Sequence, residues 1–235
     1  MVKLFENQKA TLTSTLVHQI QMVETLKRLH SFSGGDDSVR KHIAKLRKPV
    51  DGGEGFIDSA PITSKHVQYF LTKRGASYLH RPRVRTGALT GYGLLNAVGS
   101  LLFCFDKLES RKKVARHKFK ERFPELSGGS RVDNYYLDSE DGPLALGTIY
   151  VSSTSVDKGV FRSRILPNII EARRQQSEFW QKRIDGGGFV VALVAGWEER
   201  VEELRAIVRD VYPHVPVRTF SDSLLLDIVA RRRNR

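Results

Sequence analysis

The chain has 235 residues, 40% of them hydrophobic, and a formal net charge of +13 at pH 7 from 39 Lys and Arg against 26 Asp and Glu. That length and apolar content support one large or two modest domains, and the cation excess predicts a polyanionic partner held with salt-dependent affinity. No apolar run suits a membrane span, since Leu94 to Phe105 is short and contains Gly99 and Ser100; the opening MVKLFENQKATL lacks the core of a secretory signal, and no lipidation signal or aromatic-faced basic helix points to a lipid surface.

In chain order, Leu12 to Phe32 is expected to be mostly helical, with Leu16, Ile20, Val23, Leu26 and Leu29 forming an apolar stripe. Ser33-Gly34-Gly35 breaks it. A second helix is predicted from Asp37 to Lys48, capped by Asp36 or Asp37, because Val39, Ile43 and Leu46 recur at helical spacing. Its other side then carries Arg40, Lys41, His42, Lys45, Arg47 and Lys48. Pro49 ends the helix, and Asp51-Gly52-Gly53 supplies turn residues. Phe56-Ile57-Asp58 and Val67 to Leu71 read as two strands joined by a loop with Lys65 and His66. Thr72 is placed to cap a further helix through Ala76, Tyr78 and Leu79, with Lys73 and Arg74 in its first turn.

A basic run alone is most often a solvated helix face. Here the helix, the turn and the hairpin agree, and the order reads as a winged helix-turn-helix over residues 1–86, in which one helix enters the major groove of double-stranded DNA and the hairpin lies along the backbone. The residues expected to contact DNA are Ser38, Arg40, Lys41, His42, Lys45, Arg47 and Lys48 on the helix, and Lys65, Lys73 and Arg74 as phosphate clamps. Charge supports this placement: residues 1–126 carry 23 Lys and Arg against 11 Asp and Glu, whereas 127–235 carry 16 against 15.

Residues 87–126 read as a basic helical connector. Before it, Arg81, Arg83 and Arg85 surround Pro82 in a segment that fits either a phosphate-tracking arm or a plain linker. Tyr92 to Leu108 is predicted helical, and the run ESRKKVARHKFKERF that follows turns Val114, Phe119 and Phe123 inward. The pattern changes at Ser127-Gly128-Gly129-Ser130. From there, Val132–Leu137 and Leu144–Val151 suggest a hairpin around an acidic turn, and Ser163 to Ile184 a long helix. Phe189 to Val194 suggests a buried strand, Trp197 to Tyr212 an amphipathic helix and Val215 to Phe220 a last strand. The fold class expected is α/β (α+β), with a small mixed-sheet α/β domain over 127–235. The tail Arg231-Arg232-Arg233-Asn234-Arg235 is expected to be mobile.

The segment Leu71-Thr72-Lys73-Arg74-Gly75-Ala76-Ser77-Tyr78-Leu79, an LTxRGxxxL pattern, precedes a helical connector and the R-x-D element Arg131-Val132-Asp133. This arrangement resembles the replication-relaxation family of mobile-element proteins. The resemblance implies a second domain like a PD-(D/E)XK nuclease fold, in which an Asp opening the hairpin and an acidic residue on the next strand hold a metal. Asp133 matches the first. The second strand departs from the pattern, because Tyr150 and Ser152 stand where the acidic residue is looked for.

A magnesium site needs hard oxygen ligands, mostly carboxylates, and Asp133 with Asp138, Glu140 or Asp157 loosely placed makes a poor set. Tyr135 and Tyr136 lack the neighbouring histidines that a nicking centre would require. Cys104 sits in an apolar stretch and reads as a packing residue, and the seven histidines show no metal-binding spacing. We therefore expect no catalytic residue, no metal and no cofactor. The expected function is that of a sequence-specific DNA-binding accessory protein in the bacterial cytoplasm. The resemblance implies action at an origin of transfer or replication, with a relaxase or other relaxosome protein, or a second copy of the chain, as partner. The competing expectations are a metal-dependent DNA nuclease and a winged-helix transcriptional regulator.

Overall fold

Two units divide the chain, Met1–Leu101 and Leu102–Arg235. The structure, a computed structural model, describes residues 4–30, 35–49, 51–126, 134–153 and 156–233. The architecture is mixed α/β, with a two-stranded sheet in the first unit and a five-stranded sheet in the second.

The first unit opens with α1 (Glu6–His18) and α2 (Val23–His30), where the periodic stripe had suggested a single helix. The break has a physical cause. Gln19 takes a left-handed conformation (φ 70°), and Gln21 then exchanges two backbone hydrogen bonds with Tyr69, at 2.8 and 2.9 Å. Ile20 and Met22 are buried in this crossing, so apolar spacing continues through a segment whose backbone has left the helix. Thr25 Oγ accepts from the Met22 N–H at 3.0 Å and starts α2.

Helix α3 spans Gly35–Arg47, with Val39, Ile43 and Leu46 buried. These residues join Leu12, Leu26, Phe56 and Leu71 in one core cluster. Strands β1 (Ile57–Pro61) and β2 (Val67–Leu71) pair antiparallel, Ile57 opposite Leu71. Their turn is closed by Thr63, whose Oγ accepts from the N–H groups of Lys65 at 3.1 Å and His66 at 3.0 Å.

Thr72 then starts α4 (Lys73–Tyr78). Its Oγ accepts from Gly75 N–H at 3.1 Å and donates to the Gly55 carbonyl at 2.6 Å, while its own N–H donates to Phe56 O at 3.2 Å. The segment that leaves α3 and the segment that enters α4 are thereby bonded to each other. Phe56 N–H donates to Leu46 O at 2.8 Å, tying the same crossing to the end of α3. At Gly75 the backbones come so close that a Cβ would collide with the Phe56 carbonyl oxygen. The Gln68 side chain exchanges two 3.0 Å hydrogen bonds with the Leu89 backbone, anchoring the connector to β2. The chain passes into the second unit within α5 (Gly91–Asp106).

In the second unit, β3 (Arg111–Lys113), β4 (Tyr135–Asp138), β5 (Ala145–Val151), β6 (Phe189–Ala195) and β7 (Val217–Ser221) lie side by side in chain order. The first three are antiparallel neighbours, and β5-β6-β7 are parallel. Strand β3 corrects the reading of the basic run as helical. Three cationic residues carry no strand pattern, and Arg111, Lys112 and Lys113 are extended because they pair with β4. Helix α6 (Arg116–Arg122) follows and buries Phe119.

The helix expected over Ser163 to Ile184 is broken into α7 (Lys158–Val160), a π-helical turn (Phe161–Ile165), α8 (Leu166–Ile169), α9 (Glu171–Arg174) and α10 (Glu178–Asp185). Ser177 is extended, at φ −164°, and caps α10 through Trp180 N–H, so the helical direction restarts there. Helix α11 (Glu198–Val211) and a final helix absent from the sequence reading, α12 (Leu224–Arg233), complete the unit. Arg231, Arg232 and Arg233 thus belong to the last turn of α12, and Asn234 and Arg235 lie outside the described residues.

Consecutive strand residues face opposite sides of a sheet. Tyr135 therefore packs on one face with Phe119, Trp180 and Phe189, and Tyr136 on the other against Phe103. All of β6 is buried, as expected of a central parallel strand. Cys104 is buried in α5, which pushes its thiol pKa up to about 12.

Gly75→Ala is expected to destabilise the first unit by about 1–3 kcal/mol through the Phe56 clash. Gly93→Ala, on α5 with nothing closer than 3.9 Å to the added Cβ, is expected to be neutral or stabilising by up to ~1 kcal/mol. Equilibrium denaturation of the two variants checks the opposite signs.

Candidate nucleic-acid interface

Helix α3 sorts its residues by face. With Val39, His42, Ile43 and Leu46 turned inward, Arg40, Lys41, Ala44, Lys45, Arg47 and Lys48 are exposed and Ser38 is half-buried. Arg47 makes a loose 3.6 Å ion pair with Asp58 of β1, both side chains remaining about half exposed at 47% and 59%. Between the end of α3 and the base of the hairpin lies a cleft lined by Ala44, Arg47, Lys48, Glu54, Asp58 and Thr72. It presents cations and carboxylates together. Lys65 is exposed at the hairpin turn and Lys73 at the first position of α4. Arg81, Arg83 and Arg85 are exposed along the connector.

Two of the residues expected to contact DNA are placed otherwise. Arg74 Nη2 lies 3.4 Å from Asp51, its guanidinium covers the Phe56 ring at 5.4 Å, and its backbone N–H donates to Glu54 at 2.9 Å. It closes the crossing beneath α4. His42 is 6% exposed, and its Nε2 is 2.9 Å from Thr11 Oγ, which is also 2.7 Å from His30 Nε2. Thr11 Oγ lies 3.0 Å from the Asn7 carbonyl, which can only accept. The hydroxyl has one proton and two lone pairs, so when Thr11 donates to Asn7 it can accept from both imidazoles, and the three side chains form one hydrogen-bonded cluster. Burial pushes the His42 pKa down to about 4, with His30 and Lys45 adding to the shift, and burial lowers His30 as well. His42 is a neutral core residue that its sequence neighbours made look like part of a basic face.

Asp138 and Glu140, the acidic residues at the hairpin of the second unit, are engaged by cations. Asp138, 2% exposed at the end of β4, accepts from Arg218 Nε at 3.0 Å, from Tyr136 OH at 3.1 Å and from Glu140 N–H at 3.0 Å. Burial is the largest single influence and raises its pKa, but the hydrogen bonds and charge of Arg218, the Glu140 N–H and the Tyr136 hydroxyl together outweigh it and hold the carboxylate below its usual range. Glu140 pairs with Arg111 at 2.9 Å and with Lys107, and is likewise held low against the effect of burial. Arg111 in turn packs over Phe103 at 4.2 Å. Asp157 caps α7 through Gly159 N–H at 2.7 Å.

Arg131, Val132 and Asp133 lie outside the described residues. On β5, Tyr150 packs against the Phe161 ring at 5.2 Å, and beyond the end of that strand Ser152 Oγ accepts from Arg200 Nε at 3.3 Å. Among the described residues no group of three His, Cys, Asp or Glu side chains is placed to hold a metal ion. No helix among them is long and apolar enough to cross a membrane.

The sequence reading missed Phe5, the residue before α1, which is 74% exposed. It borders a groove with Asn7, Gln8, Ser38, Lys41 and Lys45. Nothing in the order of residues signals that this ring, unlike Leu4 beside it, faces outward. No family model, no curated protein and no solved structure matches the chain.

Two outcomes follow from these placements. Unfolded His42 takes up a proton below about pH 6.5 whereas the folded ring stays neutral down to about 4, so stability falls as pH is lowered through that window and this contribution levels off below it. Melts between pH 7 and 4 should show His42→Gln removing much of the slope. Asp138→Ala leaves the Tyr136 hydroxyl and Arg218 without their buried acceptor and should cost about 3 kcal/mol in equilibrium unfolding of the second unit.

Proposed function

We propose that this protein binds double-stranded DNA through its first unit, with α3 in the major groove and the β1–β2 turn along the phosphate backbone. The observation that carries the reading is the sorting of α3, whose apolar residues and His42 face the core while Arg40, Lys41, Lys45, Arg47 and Lys48 face outward. The element order supports it. A helix, a single bridge, two helices and a hairpin are what a winged helix-turn-helix is built from, with the third helix as the reader and the hairpin as the wing.

Lys41 and Lys48 lie nearest the middle of the outer face at 100° per residue, with Arg40 and Lys45 flanking them on either side and Ser38 at its edge, so these are the base-edge or phosphate contacts. Lys65 and Lys73 act as phosphate contacts. Arg74 contributes by holding the crossing. The five-stranded unit is proposed as a non-catalytic scaffold, since Asp138 and Glu140 are neutralised by Arg218, Arg111 and Lys107. The resemblance noted in the sequence extends the proposal to an accessory role at an origin of transfer or replication, in company with a relaxase.

The test is fluorescence anisotropy and footprinting on fragments flanking the protein's own gene. Reversing Arg40 and Lys41 to Glu should abolish the specific footprint and leave the melting temperature unchanged. Lys65→Ala should weaken binding to all duplexes alike and lower the salt slope by about 1. A footprint retained by the double reversal overturns the assignment of α3.

A further inference from the structure

The groove beside Phe5 has a form that a duplex-binding face does not require. It holds about 340 Å³ between the start of α1 and the outer side of α3. Phe5 stands at its edge with 74% of its surface exposed, a costly position for a phenyl ring. Its backbone is fixed, because Phe5 N–H donates to Gln8 Oε1 at 2.9 Å and Phe5 O accepts from the N–H groups of Gln8 and Lys9 at 3.0 Å. The Cα–Cβ direction is thereby set, and Phe5 lines the same groove as Ser38, Lys41 and Lys45 of α3. Opposite it are Lys41 and Lys45, both exposed, and the polar side chains of Ser38 and Asn7.

We propose that this groove takes one unpaired nucleotide, its base against the Phe5 ring and its phosphate between Lys41 and Lys45. The inference rests on the α3 reading, since the same lysines belong to the proposed DNA face and a strand leaving that face passes the groove. An aromatic face with adjacent cations is the common means of binding single strands, because every base offers a π-face and every linkage a charge. A base inside a duplex is stacked on its neighbours and cannot present that face, so the site selects an overhang, a junction or a melted step. His42, which also lines the groove, stays neutral beside Lys45 and leaves the two ammonium groups as its charge. Ser38 and Asn7 supply the hydrogen-bonding groups that a base edge meets.

The test compares the full chain on one duplex in three forms, blunt and with a short single-stranded extension at either end, 2-aminopurine standing in the extension next to the duplex. The wild type should bind one extended form about tenfold more tightly than the blunt one, with a change in 2-aminopurine emission. Phe5→Ala should lose that advantage and the emission change while keeping blunt-duplex affinity, and Phe5→Trp should retain both. Phe179→Ala, which removes another exposed ring at 60% exposure, should change neither. No advantage for an extension in the wild type, or an advantage that survives Phe5→Ala, overturns the proposal. Failure to bind the blunt duplex with Phe5-dependent binding of an extended form would refute the duplex reading alone, and failure to bind any of the DNAs refutes both.

Discussion

Thr72 is the joint on which the first unit turns. One hydroxyl accepts from the start of α4 and donates to the chain leaving α3, and Gly75 lets the two backbones approach to the limit of contact. Without that crossing, the end of α3, the base of the hairpin and the start of α4 would have no fixed relation. The cleft between α3 and the hairpin is a consequence of it. Four residues of the LTxRG pattern are thus spent on architecture: Leu71 is buried, Thr72 bridges and caps, Arg74 closes the turn at Asp51, and Gly75 makes room. A motif that reads as a signature of function is here the means of holding a face in place.

The cations of this chain fall into two populations that composition cannot separate. Arg111 and Arg218 neutralise carboxylates at the hairpin of the second unit. Arg173 donates to Tyr135 OH at 2.6 Å and lies over the Trp180 and Phe189 rings, and Arg200 joins Ser152 to Glu203. Planar guanidinium groups suit such tasks, because they donate in several directions at once and stack on rings. On α3 the lysines and Arg40 point to solvent instead. The count of 39 Lys and Arg therefore overstates the cations available to a partner, and the contrast between buried arginines and outward lysines shows where the surplus sits.

Much of the fold was legible where one element contains its own cause. The apolar spacing of Val39, Ile43 and Leu46, the cap at Thr72 and the unbroken run of β6 each encode their structure locally. Elements that exist through distant partners were not legible. Gln21 leaves the helix because Tyr69 lies across from it, Arg111 to Lys113 are extended because β4 pairs with them, and α12 follows a strand that looked like the end of the fold. The candidate site divides in the same way. Helical spacing alone places His42 off the middle of the basic face, but only Thr11 and His30 show why it turns inward, and the outward ring of Phe5 has no counterpart in the sequence pattern.

The central claim is that the outer face of α3 is a DNA-binding surface, and an NMR titration of the isotope-labelled chain with a duplex from beside its own gene tests it most directly. The account predicts amide shifts concentrated at Arg40, Lys41, Ala44 and Lys48 and at the turn around Lys65, diminishing as salt is raised. Shifts gathered instead on the five-stranded unit, or none at low salt, would contradict it.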